Sequence, residues 1–437
     1  MTDREYFRQS MLCGHGRCFS LLCGNEEAFR DIVLYGCTHD ISFDLQSEGS
    51  RGAFMYELAQ QYPDSIVFTN AVIRQLFQKE TDTDWHSLCH LGDYLTTAAN
   101  DGSPCALQAL EEKYVYLYHI MMSRRWSNYV SEVQQSWEYL AILLMQSGTA
   151  ERTIKICTDI GAWFLRRRRE SLQLLKWQFA WFWSCCEKSY GNVLHEKLQA
   201  SNVRELKLFY QVMNSDEKKP ERPASVPPTA EGFLLSLSEE TVSVRTISRM
   251  ARLASDAELR QLAQTVIDEP DDDRKAVLLR PFTFRKPFPL APEYLLTYAS
   301  SASDELRNTA KDALALIRAD CVHDYALRIL QDDAVHALPM LICNFRPDDR
   351  QTLLSALDSL IIDKNAHTEW HAAAMNILDE QQIMPDDAFL WIYSHSMCSD
   401  CRRGAVEVLL RRNALTSIMT EECRHDADLE LRALVMG

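Results

Sequence analysis

One short phrase recurs four times in the C-terminal half of the chain: Asp256-Ala-Glu-Leu-Arg260, Asp304-Glu-Leu-Arg307, Asp400-Cys-Arg402 and Asp428-Leu-Glu-Leu-Arg432. In each copy acidic residues open an amphipathic stretch and an Arg follows two to four positions on. A small or apolar residue (Ala263, Ala310, Ala405, Val435) sits three beyond the Arg. Acidic side chains complement the positive end of a helix, so the phrase marks helix starts, and its recurrence marks a helical repeat. Glycine points the same way: 14 of 437 residues is about 3%, against a usual ~7%. Sheet turns and phosphate loops need glycine, and helices joined by short polar turns do not.

Apolar spacing behind the phrases is helical. Leu259, Leu262, Ala263, Val266 and Ile267 form a single stripe, as do Leu306, Ala310, Ala313, Leu314 and Ile317, and then Leu353, Leu357, Leu360 and Ile361. Arg346-Pro-Asp-Asp and Met384-Pro-Asp-Asp place proline and aspartate where a helix begins. Arg260 and Arg307 lie 47 residues apart, Arg307 and Arg402 lie 95 apart, and Arg402 and Arg432 lie 30 apart. A period of about 40–47 residues is that of HEAT and armadillo helix pairs. On the acidic-x-Leu-Arg-x-x-Ala start, residues 230–437 resemble HEAT-like repeats. The resemblance implies an all-α α-solenoid of HEAT-like helix pairs. It also implies Asp–Arg ladders between successive repeats, involving Asp256/Arg260, Asp304/Arg307 and Asp428/Arg432. The 30-residue interval and a missing copy depart from that pattern.

The segment 215–229 holds four of the 14 prolines and no aromatic residue, which marks a linker. It divides an N-terminal helical domain, 1–214, from a C-terminal repeat domain, 230–437. The N-terminal part reads as diverged helix pairs. Ala99-Asn-Asp-Gly-Ser-Pro ends a helix, and residues 126–190 hold six of the nine tryptophans. Around Lys176-Trp-Gln-Phe-Ala-Trp-Phe-Trp, the pairs Trp177/Trp181 and Phe179/Trp183 place apolar bulk on two faces, predicting a helix buried among neighbours.

Net charge is −16 and uneven. Residues 1–215 carry 21 Lys and Arg against 25 Asp and Glu, and the remainder carries 25 against 37. An acidic surface repels phosphate backbones and anionic lipid, so a basic protein or peptide partner is favoured over nucleic acid. No apolar run approaches a membrane span, so no membrane is expected and a cytoplasmic location is the expectation. The 14 irregularly spaced cysteines read as buried reduced thiols.

Familiar catalytic phrases are absent: no Gly-x-Gly-x-x-Gly, Walker loop, His-Glu-x-x-His or Gly-x-Ser-x-Gly. No catalytic residue or cofactor is assigned, and the balance points to a non-enzymatic protein. The polar run His39 to Arg51 offers His39, Asp44, Gln46, Glu48 and Arg51 as candidate binding residues on a loop between apolar stretches. It also fits a helix connection with Glu48 and Arg51 paired locally. His15 and Arg17, in Cys13-Gly-His-Gly-Arg-Cys18, are candidates to join this region. Cys398, Cys401, Cys423 and His425 have spacing that zinc accepts, but Cys401 and Cys423 fit the apolar stripes as core residues, and no metal is assigned.

Two functions are expected from this reading. The first is a protein-interaction scaffold binding a peptide or protein on the concave face of a solenoid. The second, by analogy of fold alone, is a nucleic-acid-binding or DNA-repair factor like the HEAT-like alkylpurine DNA glycosylases. Its candidates here are Trp163, Trp177, Trp181 and the run Arg166–Arg169, and that family's catalytic motif is missing.

Overall fold

The structure, a computed structural model, describes residues 2–42, 49–123, 128–167, 170–215, 228–236, 243–284, 286–360 and 367–436. Among them are 26 α-helices and no strand. The acidic helix starts expected at Asp256 and Asp304 are present, each preceded by a serine cap: Ser255, Ser303 and, further on, Thr416 each accept from the backbone N–H three residues on. Asp271 does the same for Arg274.

Contacts divide the chain into two units. The first comprises 1–220, 397–400 and 416–437, and the second 221–396 and 401–415. The division near 220 falls in the expected linker, of which residues 216–227 lie outside the described residues. The segments 397–400 and 416–437 belong with the N-terminal unit, although the sequence pattern continues into them from the repeats.

The first unit opens with α1 (Asp3–Leu12), α2 (Arg17–Leu22), α3 (Glu26–Thr38), α4 (Gly52–Ala59), α5 (Ile66–Leu76) and α6 (Trp85–Asn100). It continues with α7 (Pro104–Ser123), α8 (Asn128–Gln146), α9 (Ala150–Arg166), α10 (Leu172–Gln178), α11 (Ala180–Ala200) and α12 (Arg204–Met213). Its core is aromatic. Phe179 lies edge-on to Trp137 and Trp163, each at 5.5 Å between ring centres, and Phe164 stacks on Phe209 at 6.1 Å.

The Trp-rich segment departs from the expected buried helix. It breaks at Phe179 (φ −128°, ψ 21°), and the two faces part company there. Phe179 and Trp183 are buried, whereas Trp177 is 76% exposed and Trp181 47%. Trp181 stacks on Tyr139 at 5.6 Å.

The second unit holds α13 (Ala230–Ser236), α14 (Val244–Leu253), α15 (Asp256–Asp268), α16 (Asp272–Leu279), α17 (Pro292–Tyr298), α18 (Asp304–Leu314) and α19 (Asp320–Ile329). It continues through α20 (Ala334–Cys343), α21 (Arg350–Leu360), α22 (His367–Asp379), α23 (Asp386–His395) and most of α24 (Ser399–Arg411). Each helix packs mainly on those one or two places away in sequence. The predicted stripes face inward: Leu259, Leu262, Val266, Leu306, Ala310, Leu353 and Leu357 are all buried.

The recurrent Arg has a different role from the ladder that the HEAT resemblance implies. Its guanidinium turns back to the carbonyl six residues earlier. Arg307 donates to Ser301 O at 2.8 Å, Arg402 to Ser396 O at 3.0 Å, and Arg432 to Asp426 O. In the first copy the matching carbonyl, Ala254 O, receives Lys286 Nζ at 3.0 Å instead. Asp304 pairs with Arg307 within one helical turn, Asp256 pairs with Lys286, and Asp428 caps its own helix. Other charged groups link neighbouring helices: Arg346 with Asp320 at 2.6 Å and Arg412 with Asp386 at 2.7 Å. The reason is reach: an Arg one turn into a helix lies beside the carbonyls of the chain entering that helix, which the helix ladder leaves unsatisfied.

Candidate functional site

Of the loop residues singled out by sequence, Asp44, Gln46 and Glu48 lie outside the described residues. His39 is exposed, stacks on Tyr35 at 4.2 Å and hydrogen-bonds through Nδ1 with Tyr35 O at 3.1 Å. Arg51 is buried at 3% exposure and donates to Ile41 O at 3.1 Å and Met397 O at 2.8 Å. It is a fastener within the first unit, not a group held out to a ligand.

The Gly-His-Gly run does join this region. Gly14 has φ +70°, and a side chain there would meet Ala427 Cβ at 2.7 Å and Arg51 Nε at 3.1 Å. Glycine is therefore required for both conformation and space. Gly14 O accepts from Ala427 N at 2.8 Å. Arg17 reaches Tyr6 Oη at 2.6 Å and Glu422 at 3.5 Å. In this way the helices α25 (Ser417–Cys423) and α26 (Leu429–Met436) are clasped onto the N-terminal segment. The result is a close-packed polar junction between the two ends of the first unit.

Of the zinc candidates, His425 packs against Phe19 at 5.0 Å and lies near Glu421. Cys423 and His425 enter no metal-ligand cluster among the described residues. Of the nucleic-acid candidates, Trp177 and Arg166 are exposed, whereas two others are committed within the fold. Trp163 is buried, and Arg167 sits over its ring at 4.9 Å while pairing with Glu170. Arg168 and Arg169 lie outside the described residues.

The first unit instead offers an open groove of about 760 Å³ between α7 and α9, with Leu144 of α8 at its floor. That volume is typical of ligand pockets. Both walls use the same spacing. On α7, Glu111, Val115 and His119 follow at four-residue steps, with Glu112 and Tyr116 beside them. On α9, Glu151, Lys155 and Asp159 do likewise, with Arg152 and Ile156 beside them. Four-residue steps put side chains on one helical face, so each wall is a continuous stripe.

Tyr116 of the groove wall is anchored on a buried ion pair. Lys113 Nζ lies 2.7 Å from Asp82 Oδ1, both side chains 1% exposed, and Lys113 also donates to Thr81 at 3.2 Å. Asp82 Oδ2 accepts from the Tyr116 hydroxyl at 3.0 Å. The phenol is thereby pinned at its tip while its ring stays 45% exposed on the wall, next to Val115 at 41%. Burial lowers the Lys113 pKa, and the Asp82 carboxylate opposes that fall.

Across the groove the Tyr114 hydroxyl donates to Asp159 Oδ2 at 3.2 Å. Burial holds the Asp159 carboxyl above the usual carboxylate range, against the lowering pull of Tyr114 and Lys155. At the rim, Glu111 pairs with Arg152 at 2.8 Å and Glu151 with Lys197 at 3.4 Å. Glu112 accepts from the neutral Gln108 amide at 2.7 Å.

The groove leaves little trace in the sequence because its residues look ordinary one helix at a time. The one available signal was Val115-Tyr116 interrupting the polar face of α7 immediately after Glu111-Glu112. No protein-family model, no curated protein and no solved structure matches this chain.

Proposed function

We propose that the protein is a non-enzymatic interaction scaffold that binds a peptide or protein partner. The α7/α9 groove, with Val115 and Tyr116 presented on a rigid wall, carries this reading. A pinned aromatic and an exposed aliphatic side chain over an apolar floor have the composition of a binding hot spot. The second unit fits an α-solenoid of HEAT-like helix pairs, which supports a scaffold role. Packing of each helix mainly on its sequence neighbours supports that architecture. Among the described residues, no helix is long and apolar enough to cross a membrane.

The reading is tested by selecting binders from a displayed peptide library on the full chain, then re-assaying them on Val115→Asp. Loss of binding with an unchanged circular dichroism spectrum supports it. Selected peptides that bind the variant equally well place the partner surface elsewhere and overturn it.

A further inference from the structure

The occupant of the groove can be narrowed by charge and shape. Two of its four carboxylates are matched, Glu111 by Arg152 and Glu151 by Lys197. Glu112 and Asp159 accept only from neutral partners, Gln108 and Tyr114, among their hydrogen bonds. Lys155 is the one further cation on the lining. The rim is therefore acidic, and like charge across an interface is costly while opposite charge fixes register.

Shape points to a helix. Both walls are helical ridges stepping by four residues, and the floor is a third helix behind them. Ridges of that spacing accept the ridge of another helix, whose own i, i+3, i+4 and i+7 side chains fill the gap. Among the described residues the groove offers no strand edge to which an extended peptide could add.

We infer that the α7/α9 groove binds one amphipathic helix of a partner protein, its apolar stripe over Val115, Tyr116 and Ile156 and its Lys or Arg residues beside Glu112 and Asp159. This rests on the groove being the partner site and adds the class of partner. Binding of this kind weakens with salt, because Glu112 is exposed and Asp159 only half-buried.

The test uses the full chain and two fluorescein-labelled model helices of equal length and identical leucine stripe, one flanked by lysines and the other by glutamates. Anisotropy is read at low and high salt. The lysine helix is expected to bind at least about tenfold more tightly than the glutamate helix at low salt, with the gap closing at high salt. Val115→Asp is expected to weaken it at least about tenfold. Glu112→Lys is expected to remove most of the charge preference. Val115 and Glu112 are exposed, so neither change burdens the core.

Binding that is sensitive to Val115→Asp but indifferent to peptide charge overturns the basic-helix inference and leaves the groove reading standing. Binding indifferent to Val115→Asp, or abolished instead by Trp177→Ser, overturns both. A concentration-dependent dimer that Val115→Asp dissociates assigns the groove to a second copy of this chain and also overturns the inference.

Discussion

Arg432 grips Glu57 with two hydrogen bonds, 3.0 and 2.8 Å, one to each carboxylate oxygen, across 375 residues of sequence. The pair is partly buried, at 14% and 36% side-chain exposure, and ties α26 to α4 within the first unit. Bidentate geometry makes it stronger than an ordinary surface ion pair. Arg432→Ala is expected to destabilise the first unit by about 1–2 kcal/mol. A double-mutant cycle with Glu57→Ala, followed by urea denaturation, should return a coupling energy clearly different from zero. Simple additivity would show that the two side chains do not act together.

The clasp beside that pair depends on Gly16. A Cβ at this position would lie 1.8 Å from the carbonyl oxygen of Glu422, a backbone atom that cannot swing aside. Gly16→Ala is expected to cost about 1–3 kcal/mol or to displace the 416–437 segment altogether. Gly404→Ala is the natural comparison, because its Cβ would meet only Leu378 side-chain carbons at 3.2 Å. Equal thermal stability of the two variants would refute the close approach at Gly16. Limited proteolysis would reveal a released 416–437 segment.

Glu138 predicts a pH dependence. It is half-buried, accepts from Phe182 N at 3.1 Å at the start of α11, and burial raises its pKa from 4.5 to about 7. Between those values the folded chain binds more protons than the unfolded chain. Its contribution to stability is therefore fully present at acidic pH, falls as pH rises toward 7, and is flat beyond. Glu138→Gln keeps an oxygen for Phe182 N and removes the charge. At pH 8 the variant should be more stable than the parent by about 1–3 kcal/mol, and the advantage should shrink toward pH 5. Denaturation curves at four pH values decide this, and parallel profiles for the two proteins would sink the assignment.

Lys113 and Asp82 form a fully buried pair that holds the Tyr116 hydroxyl. Removing one partner strands the other as a buried charge, so Lys113→Met alone is expected to cost about 3–5 kcal/mol. The double variant Lys113→Met, Asp82→Leu should recover much of that loss. It should still loosen Tyr116, whose hydroxyl loses its bond to Asp82. Tyrosine fluorescence or hydrogen exchange over 110–119 would register the loosening. A double variant no more stable than Lys113→Met would contradict this account.

Much of the local structure was legible in the sequence because it is decided within a turn or two. Helices begin at Asp256 and Asp304 as the acidic phrases mark, and the stripe Leu259, Leu262, Val266 is buried as its period requires. The helix stop at Asn100 before Pro104 follows from the Asp-Gly-Ser-Pro turn. The candidate site was far less legible. Arg51 looked like a loop residue free to meet a ligand, yet its partners Ile41 O and Met397 O are backbone atoms that no side-chain pattern announces. Trp177 and Trp181 share the i,i+4 spacing of Phe179 and Trp183, and that spacing alone does not say which of the two faces meets the core.

By itself, then, the sequence determined that this chain is helical, where many of its helices begin and which stripe of each turns inward, since caps and periodicity act between residues a few positions apart. Only the tertiary structure decided that residues 416–437 join the N-terminal unit, that the recurrent Arg serves the carbonyl six residues before it, and that two ordinary helix faces meet as a groove. Those outcomes depend on backbone atoms and on partners tens to hundreds of residues away, where close packing and bond geometry select one arrangement among many that the same pattern allows.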